Sequence, residues 1–320
     1  MVEVLLILDG AAEPLGTEPT SLERARTPAL DGLGRDGRLS RLRTVAPWLA
    51  AGSEAAIPAL LGWVPPAPVD RGALEAAARG IEVAPGERAR RIDVRTGSRG
   101  RAGEEDTAAA ARGLARAVPG HSVHRLGGHK LLLVGPPPLA LPPAEPGAVT
   151  ELRAWPEGIV PPRILGEEVV VVAAAGAAAG AGRLMGAEVV VPPEATGKPG
   201  TDLAAKAAAA LVAVDSGARR VVVHVGSPDE AAHGRDAAGK VAAIEAVDAL
   251  LVPPLVGAVT EAGGTLFVCP DHGCDPATGE HDGDPVPCLR WPSPAGPRGR
   301  LGERDAAALP ALDLPVEVRA

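Results

Sequence analysis

The sequence predicts an α/β fold: a mostly parallel sheet with helices on both faces. Three observations carry that prediction. Short, continuous apolar runs such as Val2 to Leu8 read as strands covered on both sides. Helical segments alternate with such runs through the second half of the chain. Between about 64 and 162 the alternation lapses into a stretch rich in Pro, Arg and Gly, which reads as an insert. The predicted division is an outer, discontinuous domain, 1–63 and 163–320, around an inserted domain, 64–162.

Each element follows from local chemistry. The first strand ends at Asp9-Gly10. Thr27-Pro28 opens a short helix through Leu33, with proline in the first turn. Ser53 starts a second helix, where Glu54 meets the positive end of the dipole, and Pro58 has to be accommodated inside it. Within the insert, Asp106 to Ala117 reads as helix, His129 to Val134 as strand, and Pro136 to Pro146 as a connector. Alternation then resumes. Strands are predicted over Glu168–Ala173, Glu188–Val191, Arg220–Val225, Thr265–Cys269 and finally Val286–Trp291. Helices are predicted over Ala174–Met185, over Thr201–Val214 behind a Thr-Asp cap, and over Asp236 to about Val252. Pro253-Pro254 ends or kinks the last of these.

Bulk properties narrow the function. A chain of 320 residues, 46% hydrophobic, can bury a large core without covalent staples. The absence of Tyr, the single Phe and the excess of Arg over Lys read as the codon bias of a GC-rich genome, because strong β-branched runs persist. A net charge of −8 with no basic stripe argues against a nucleic-acid partner. Cys269, Cys274 and Cys288 do not read as a disulfide framework and fit a reducing cytoplasm. Cys269 and Cys288 fall in apolar runs and read as buried small hydrophobes. The N-terminus has no basic region and reaches Asp9 too soon for a signal peptide. No apolar run of membrane-spanning length is free of Pro or charge, so no membrane partner is expected.

Ligand sites in such sheets form at the C-terminal ends of strands. Three apolar strands end there in metal-ligand residue types. LLILDG delivers Asp9. VVVHVGSPDEAAH delivers Asp229 and, four residues on, His233. TLFVCPDHG delivers Asp271 and His272, and His281 follows in GEHDGDPVP. Ser53 adds a hydroxyl. Taken singly, each is ordinary: an Asp after a strand is most often a turn residue, and short motifs match by chance. Together they suit phosphoryl transfer, which builds negative charge on oxygens. Two divalent cations can clamp those oxygens and activate a serine hydroxyl. Mixed Asp/His ligation suits Mn, or Zn, better than Ca.

These residues carry a resemblance to the archaeal-type, cofactor-independent phosphoglycerate mutases of the alkaline phosphatase superfamily. It runs through LILDG, TPALDGLGRDG, AGSEAAIPALLGW and GAEVVVPPEATGKPGTDLAAKAAAAL. It is strongest in HVGSPDEAAHGRDAAGKVAAIEAVD and CPDHGCDPATGEHDGDPVP. The resemblance implies an alkaline-phosphatase-like sheet domain with a shortened inserted cap. It implies two divalent metal ions, Mn first, with Zn or Mg as alternatives. Asp229, His233 and His281 would hold one; Asp9, Asp271, His272 and the Ser53 oxygen the other. Ser53 would carry phosphate transiently while 3-phosphoglycerate and 2-phosphoglycerate interconvert in the cytoplasm, as a step of glycolysis.

The insert departs from the family. Arg71-Gly72 resembles the family's RGPFEALGAGI segment. Arg91 keeps a family arginine, but Asp93 stands where an asparagine follows it. GGHK brings His129 with Lys130 in place of arginine, and Arg153 lacks the following glycines. The resemblance implies that Arg71, Arg91, His129, Lys130, Arg153 and Lys206 bind a small phosphorylated carboxylic acid. Each reads equally well as a salt-bridged or surface group, and Lys and Arg are not interchangeable at such sites. His224 reads as a satisfied core histidine, and Asp284 as a turn organiser. Two alternatives stay open: a phosphomonoesterase or phosphotransferase acting on another small phosphorylated or phosphonate acid, and a non-catalytic metal-binding homologue.

Overall fold

The computed structural model describes residues 1–97, 100–138, 141 and 151–314. Most of the expected Pro-rich connector, at 139–140 and 142–146, lies outside the described residues. The chain forms two compact units, Met1–Ala67 with Pro161–Ala320, and Pro68–Val160.

The larger unit is built on an eight-stranded sheet. Its order is Ala311–Asp313, Arg38–Arg43, Val286–Trp291, Thr265–Cys269, Glu3–Leu8, Arg220–Val225, Val169–Val172 and Glu188–Val190. Glu3–Leu8 lies at the centre and runs parallel to both neighbours, with Leu8 opposite Val225 and Ile7 opposite Cys269. Only Val286–Trp291 runs against its neighbours. The central strands are apolar along most of their length because both faces are covered, with His224 the polar residue in their interior. Val4, Leu6, Leu8, Val221, Val223, Leu266 and Val268 pack with Ala207, Ala210, Ile244, Val247 and Leu255 of the helices. Each fully buried Leu or Val contributes roughly 1.5–3 kcal/mol relative to exposure. With almost no aromatics available, alanines let the helices approach closely.

Several sequence expectations need correction. Val286–Trp291 is not the last strand, since Ala311–Asp313 pairs in parallel with Arg38–Arg43. In Arg38–Arg43, RLSRLR, the two leucines stand three residues apart, off the period of two that marks a strand, and so concealed one that buries Leu39 and Leu42. Pro253 and Pro254 lie in the first turn of a new helix, Val252–Glu261, where proline loses no helical hydrogen bond. The preceding helix ends at Leu250. The stretch Ala237–Glu261 is long and apolar enough to cross a membrane, with mean hydropathy 1.7. Its Ile244, Val247, Leu255 and Val259 are fully buried in the core.

The smaller unit is more regular than its sequence suggested. Its sheet runs Gly100–Arg101, Arg88–Thr96, Lys130–Gly135, Ser122–Gly127, with Glu151–Ala154 also pairing Arg88–Thr96. Those pairings are antiparallel. Arginines interrupt the apolar period of Arg88–Thr96, which hid it. Helix Glu104–Ala117 starts two residues earlier than expected, with Glu104, Glu105 and Asp106 in its first turn. His129 sits in the turn before its strand rather than inside it. Helix Arg71–Arg79, capped by the Asp70 side chain on the Ala73 amide, was not anticipated.

Candidate metal centre

The parallel register places the C-terminal ends of three strands side by side, and the donors follow directly. Asp9 leaves the central strand. Gly10 turns there with φ +59°, and a Cβ at that position would stand 2.5 Å from Asp229 Oδ1. Only glycine allows this approach. The Gly10 amide donates to Asp271 Oδ1 at 3.0 Å, as does the His272 amide. Thr44 Oγ1 donates to the Asp271 carbonyl. Ser53 opens helix Ser53–Leu60, which continues through Pro58.

SPDEAAH, expected only as a motif after a strand, folds into helix Ser227–His233. That helix puts Asp229 and His233 on one face at i, i+4. A short hairpin, Gly273–Asp275 against Glu280–Asp282, returns His281 to the same place.

Two groups of donors result, one of Asp9, Asp271 and His272, the other of Asp229, His233, Cys274 and His281. Within each group the ligand atoms lie within 4.8 Å of one another. Ser53 Oγ joins the first, 3.1 Å from Asp9 Oδ1 and 3.3 Å from His272 Nε2. In the second, His233 Nε2 is 3.3 Å from Asp229 Oδ2, and His281 Nε2 is 3.2 Å from Asp229 Oδ1. The His272 and His281 rings lie 4.2 Å apart, so the two groups adjoin.

The arrangement calls for cations. His233 Nδ1 faces the Gly279 carbonyl at 2.8 Å, and His281 Nδ1 faces the Ala51 carbonyl at 3.1 Å. A carbonyl only accepts, so each Nδ1 carries a proton and each ring turns Nε2 outward as the atom that can bind a metal. Those two Nε2 atoms stand 2.9 Å apart, a repulsive contact unless a positive charge joins them. His272 follows the same rule, with Nδ1 held by the Gly273 carbonyl at 3.0 Å. Backbone anchoring of the second nitrogen is how ligating histidines are oriented. Asp229 Oδ1 and Asp271 Oδ2 are buried and lack a hydrogen-bond donor in good geometry. The residues present therefore fit a pair of divalent ions.

Electrostatics agree. Burial pushes the Asp271 carboxyl up to about 6, with the neighbouring Asp9 charge adding to it. Burial opposes ionisation of Asp9 and Asp229 as well. Hydrogen bonds from His224 and His272 hold Asp9 well below the usual carboxylate range. His233 and His281 do the same for Asp229. Burial likewise disfavours charge on His272, but Asp271 and Asp9 drive its pKa well above the ordinary value. Three buried carboxylates in one place demand positive charge.

Two residues named from the sequence stand in a different setting from the one expected. His224 is no isolated core histidine: its Nε2 lies 3.2 Å from Asp9 Oδ2. Lys206 is fully buried, not a surface lysine, and its Nζ donates to the His224 carbonyl at 2.7 Å. Burial brings the Lys206 pKa down to about 8, with Asp9 opposing. The usable signal was His224 as the only polar side chain inside an apolar strand that ends at the site.

The other expected substrate residues lie in the smaller unit. Arg91 is 3% exposed and pairs with Glu75 and Asp93, each at 2.7 Å. Arg71 Nε pairs with Glu75 at 3.0 Å. Both guanidinium groups stack over Trp155, at 5.3 Å for Arg71 and 5.5 Å for Arg91. His129 Nε2 is 3.8 Å from Asp93. Burial depresses its pKa to about 4, against the pull of Asp93. Lys130 and Arg153 flank Asp93 in strand register. Asp284 does organise a turn, donating its amide to Asp282 Oδ1 at 3.0 Å.

Comparison with known proteins accords with this geometry. The Metalloenzyme superfamily matches residues 1–306. The chain belongs to that superfamily. A 2,3-bisphosphoglycerate-independent phosphoglycerate mutase from Methanothrix thermoacetophila is 30% identical over 90% of this chain and 90% of its own. One from Methanopyrus kandleri is 29% identical over 91% and 88%. Within the superfamily, the chain belongs with these cofactor-independent mutases, which are isomerases. The PH0037 protein of Pyrococcus horikoshii shares the fold, with TM-score 0.77 at 22% identity over 98% of this chain and 94% of that one. Divalent metal binding and phosphotransfer chemistry follow from family and donor groups together.

Proposed function

We propose that this enzyme interconverts 3-phosphoglycerate and 2-phosphoglycerate through a phosphoserine at Ser53. The observation that carries the reading is the Ser53 hydroxyl, buried at a helix start and aimed between Asp9 and His272. Bound metal ions, manganese by ligand type with zinc or magnesium as alternatives, would neutralise charge on the phosphoryl and serine oxygens. Asp229, His233 and His281 would hold one ion, and Asp9, Asp271, His272 and Ser53 the other.

Ser53 Oγ attacks phosphorus as its proton passes to a neighbouring base. The bond from phosphorus to the glycerate oxygen breaks, and that oxygen takes a proton. The glycerate turns without leaving; its other hydroxyl gives up its proton as it attacks the phosphoserine, the bond from phosphorus to Ser53 Oγ breaks, and Oγ takes a proton back. Water must be excluded throughout, or the outcome is hydrolysis. Arg71, Arg91, His129, Lys130 and Arg153 are the proposed groups for the acid. Lys206 is too deeply buried to touch substrate, and we assign it to holding His224 against Asp9. A cytoplasmic, glycolytic role accompanies this substrate.

One observation favours a second reading, a different small phosphorylated acid. Glu75 and Asp93 already neutralise Arg71 and Arg91, which lowers their call for a substrate carboxylate. One experiment separates the readings. Purified protein with manganese and 3-phosphoglycerate is followed by phosphorus NMR for 2-phosphoglycerate and free phosphate. Isomer without phosphate supports the mutase, and phosphate alone supports a hydrolase. Ser53→Ala should abolish both products and the phosphoenzyme. Full activity in that variant would overturn the nucleophile assignment.

A further inference from the structure

We propose that Cys274 is a metal ligand, the fourth donor to the ion held by Asp229, His233 and His281. It would make that position zinc-selective while its neighbour remains an oxygen-rich site. The inference rests on the two-metal reading above and extends it to a residue and a selectivity outside that reading.

Three independent observations converge on the thiol. Cys274 Sγ lies within 4.8 Å of the ligand atoms of Asp229, His233 and His281. Cys274 is also the direct cross-strand partner of His281. Opposed residues on an antiparallel pair project to the same face with Cβ atoms about 4.5–5.5 Å apart. Finally, its backbone is fixed from both sides. The Cys274 amide donates to the Ala12 carbonyl at 2.9 Å. The fully buried Lys240 ammonium donates to the Cys274 carbonyl at 2.6 Å and the Ala12 carbonyl at 3.1 Å. It also pairs with Glu13 at 3.0 Å. These contacts fix the backbone from which the thiol projects toward Asp229, His233 and His281. The other two cysteines lie in strands of the main sheet.

The chemistry then separates the two positions. Asp9, Asp271, Ser53 and His272 offer three oxygens and one nitrogen, a hard set suited to manganese or magnesium. Asp229, His233, His281 and Cys274 offer one oxygen, two nitrogens and one sulfur. Thiolate with imidazole selects zinc or cobalt(II) over manganese, usually in a tetrahedron. On binding, the Cys274 thiol loses its proton to solvent and the sulfur lone pair goes to the metal. Four protein donors fill a tetrahedron, so a substrate oxygen would enter this position only as a fifth ligand.

Cobalt(II) titration of the metal-stripped full-length protein tests this by absorption spectroscopy. The expected result is a near-ultraviolet thiolate-to-cobalt charge-transfer band that saturates at one equivalent. Cys274→Ser should lose the band yet still bind cobalt. Its zinc affinity should fall at least by the roughly 10- to 100-fold typical of losing even an outer partner. The Cys269→Ala/Cys288→Ala double variant should keep the band, which holds the assignment even if Cys274→Ser fails to fold. Two bound cobalt ions without any sulfur band would overturn the Cys274 proposal and leave the two-metal reading standing. Disappearance of the band in the double variant would also overturn it. Folded protein that binds no cobalt at all would remove both.

Discussion

The Gly10 amide donates to Asp271 Oδ1 at 3.0 Å, across 261 residues of sequence. Parallel pairing of Glu3–Leu8 with Thr265–Cys269 makes that contact, because Leu8 and Cys269 end their strands next to one another. The hydrogen bond satisfies one Asp271 oxygen and leaves the other for a cation.

Gly10→Ala should therefore damage the metal centre more than the fold. Its φ of +59° strains any residue with a Cβ, and that atom would meet Asp229 Oδ1 at 2.5 Å. The backbone strain costs on the order of 1–3 kcal/mol. Displacing Asp229 should weaken metal affinity at least 10-fold, by analogy with loss of an outer-shell partner. Urea unfolding and metal titration measure the two effects. Unchanged metal affinity in a folded variant would contradict the close approach.

Metal removal should lower thermal stability. Asp9, Asp229 and Asp271 are all buried, and without counter-charge they repel. An ion present at 100 times its Kd stabilises the native state by about 2.7 kcal/mol. Calorimetry with and without chelator should show a lower melting temperature in the stripped protein, restored by manganese or zinc. Identical transitions would mean that these groups bind no ion.

Glu75 predicts an acid-sensitive smaller unit. Burial raises its pKa, but Arg71, Arg91 and Arg79 outweigh that and hold it at about 2, against 4.5 for the free group. A depressed carboxyl stabilises the fold above pH 4.5, and that contribution is lost as pH falls toward 2. The shift corresponds to about 3 kcal/mol. Denaturant midpoints of wild type and Glu75→Gln at pH 6 and pH 3 test it. The variant should be less stable at pH 6 and lose less on acidification. Equal losses in both proteins would rule out the linkage.

Lys240→Met should destabilise the larger unit by about 3–5 kcal/mol, the usual result of removing one partner of a buried ion pair. The ammonium is fully buried and joins Glu13 to the carbonyls of Ala12 and Cys274. Adding Glu13→Gln should recover part of the loss by removing the stranded charge. Equilibrium unfolding of both variants is the measurement. A single variant within about 1 kcal/mol of wild type would show that the network contributes little.

Much of the larger unit was legible before the structure. Val2–Leu8, Arg220–Val225 and Thr265–Cys269 announced themselves because buried parallel strands need apolar residues on both faces. The insert was harder to read. In Arg88–Thr96 and Arg38–Arg43, arginines occupy strand positions and mask the period that marks a half-buried strand. Helix Ser227–His233 is a single short stretch of seven residues, below the length at which an apolar stripe becomes readable.

By itself the sequence determined which residue types stand at the ends of which strands, since each motif is local. Asp9, Asp229, His233, Asp271, His272, His281 and Ser53 could all be named from their neighbours. Tertiary structure alone decided that Gly10 must press on Asp229, that His224 reaches Asp9, and that the hairpin carrying Cys274 and His281 meets Asp229. It also decided that Lys206 and Lys240 are buried rather than solvated. These facts depend on strand order and register between segments up to 261 residues apart. Such pairings arise from packing of the whole sheet, and no local pattern encodes them.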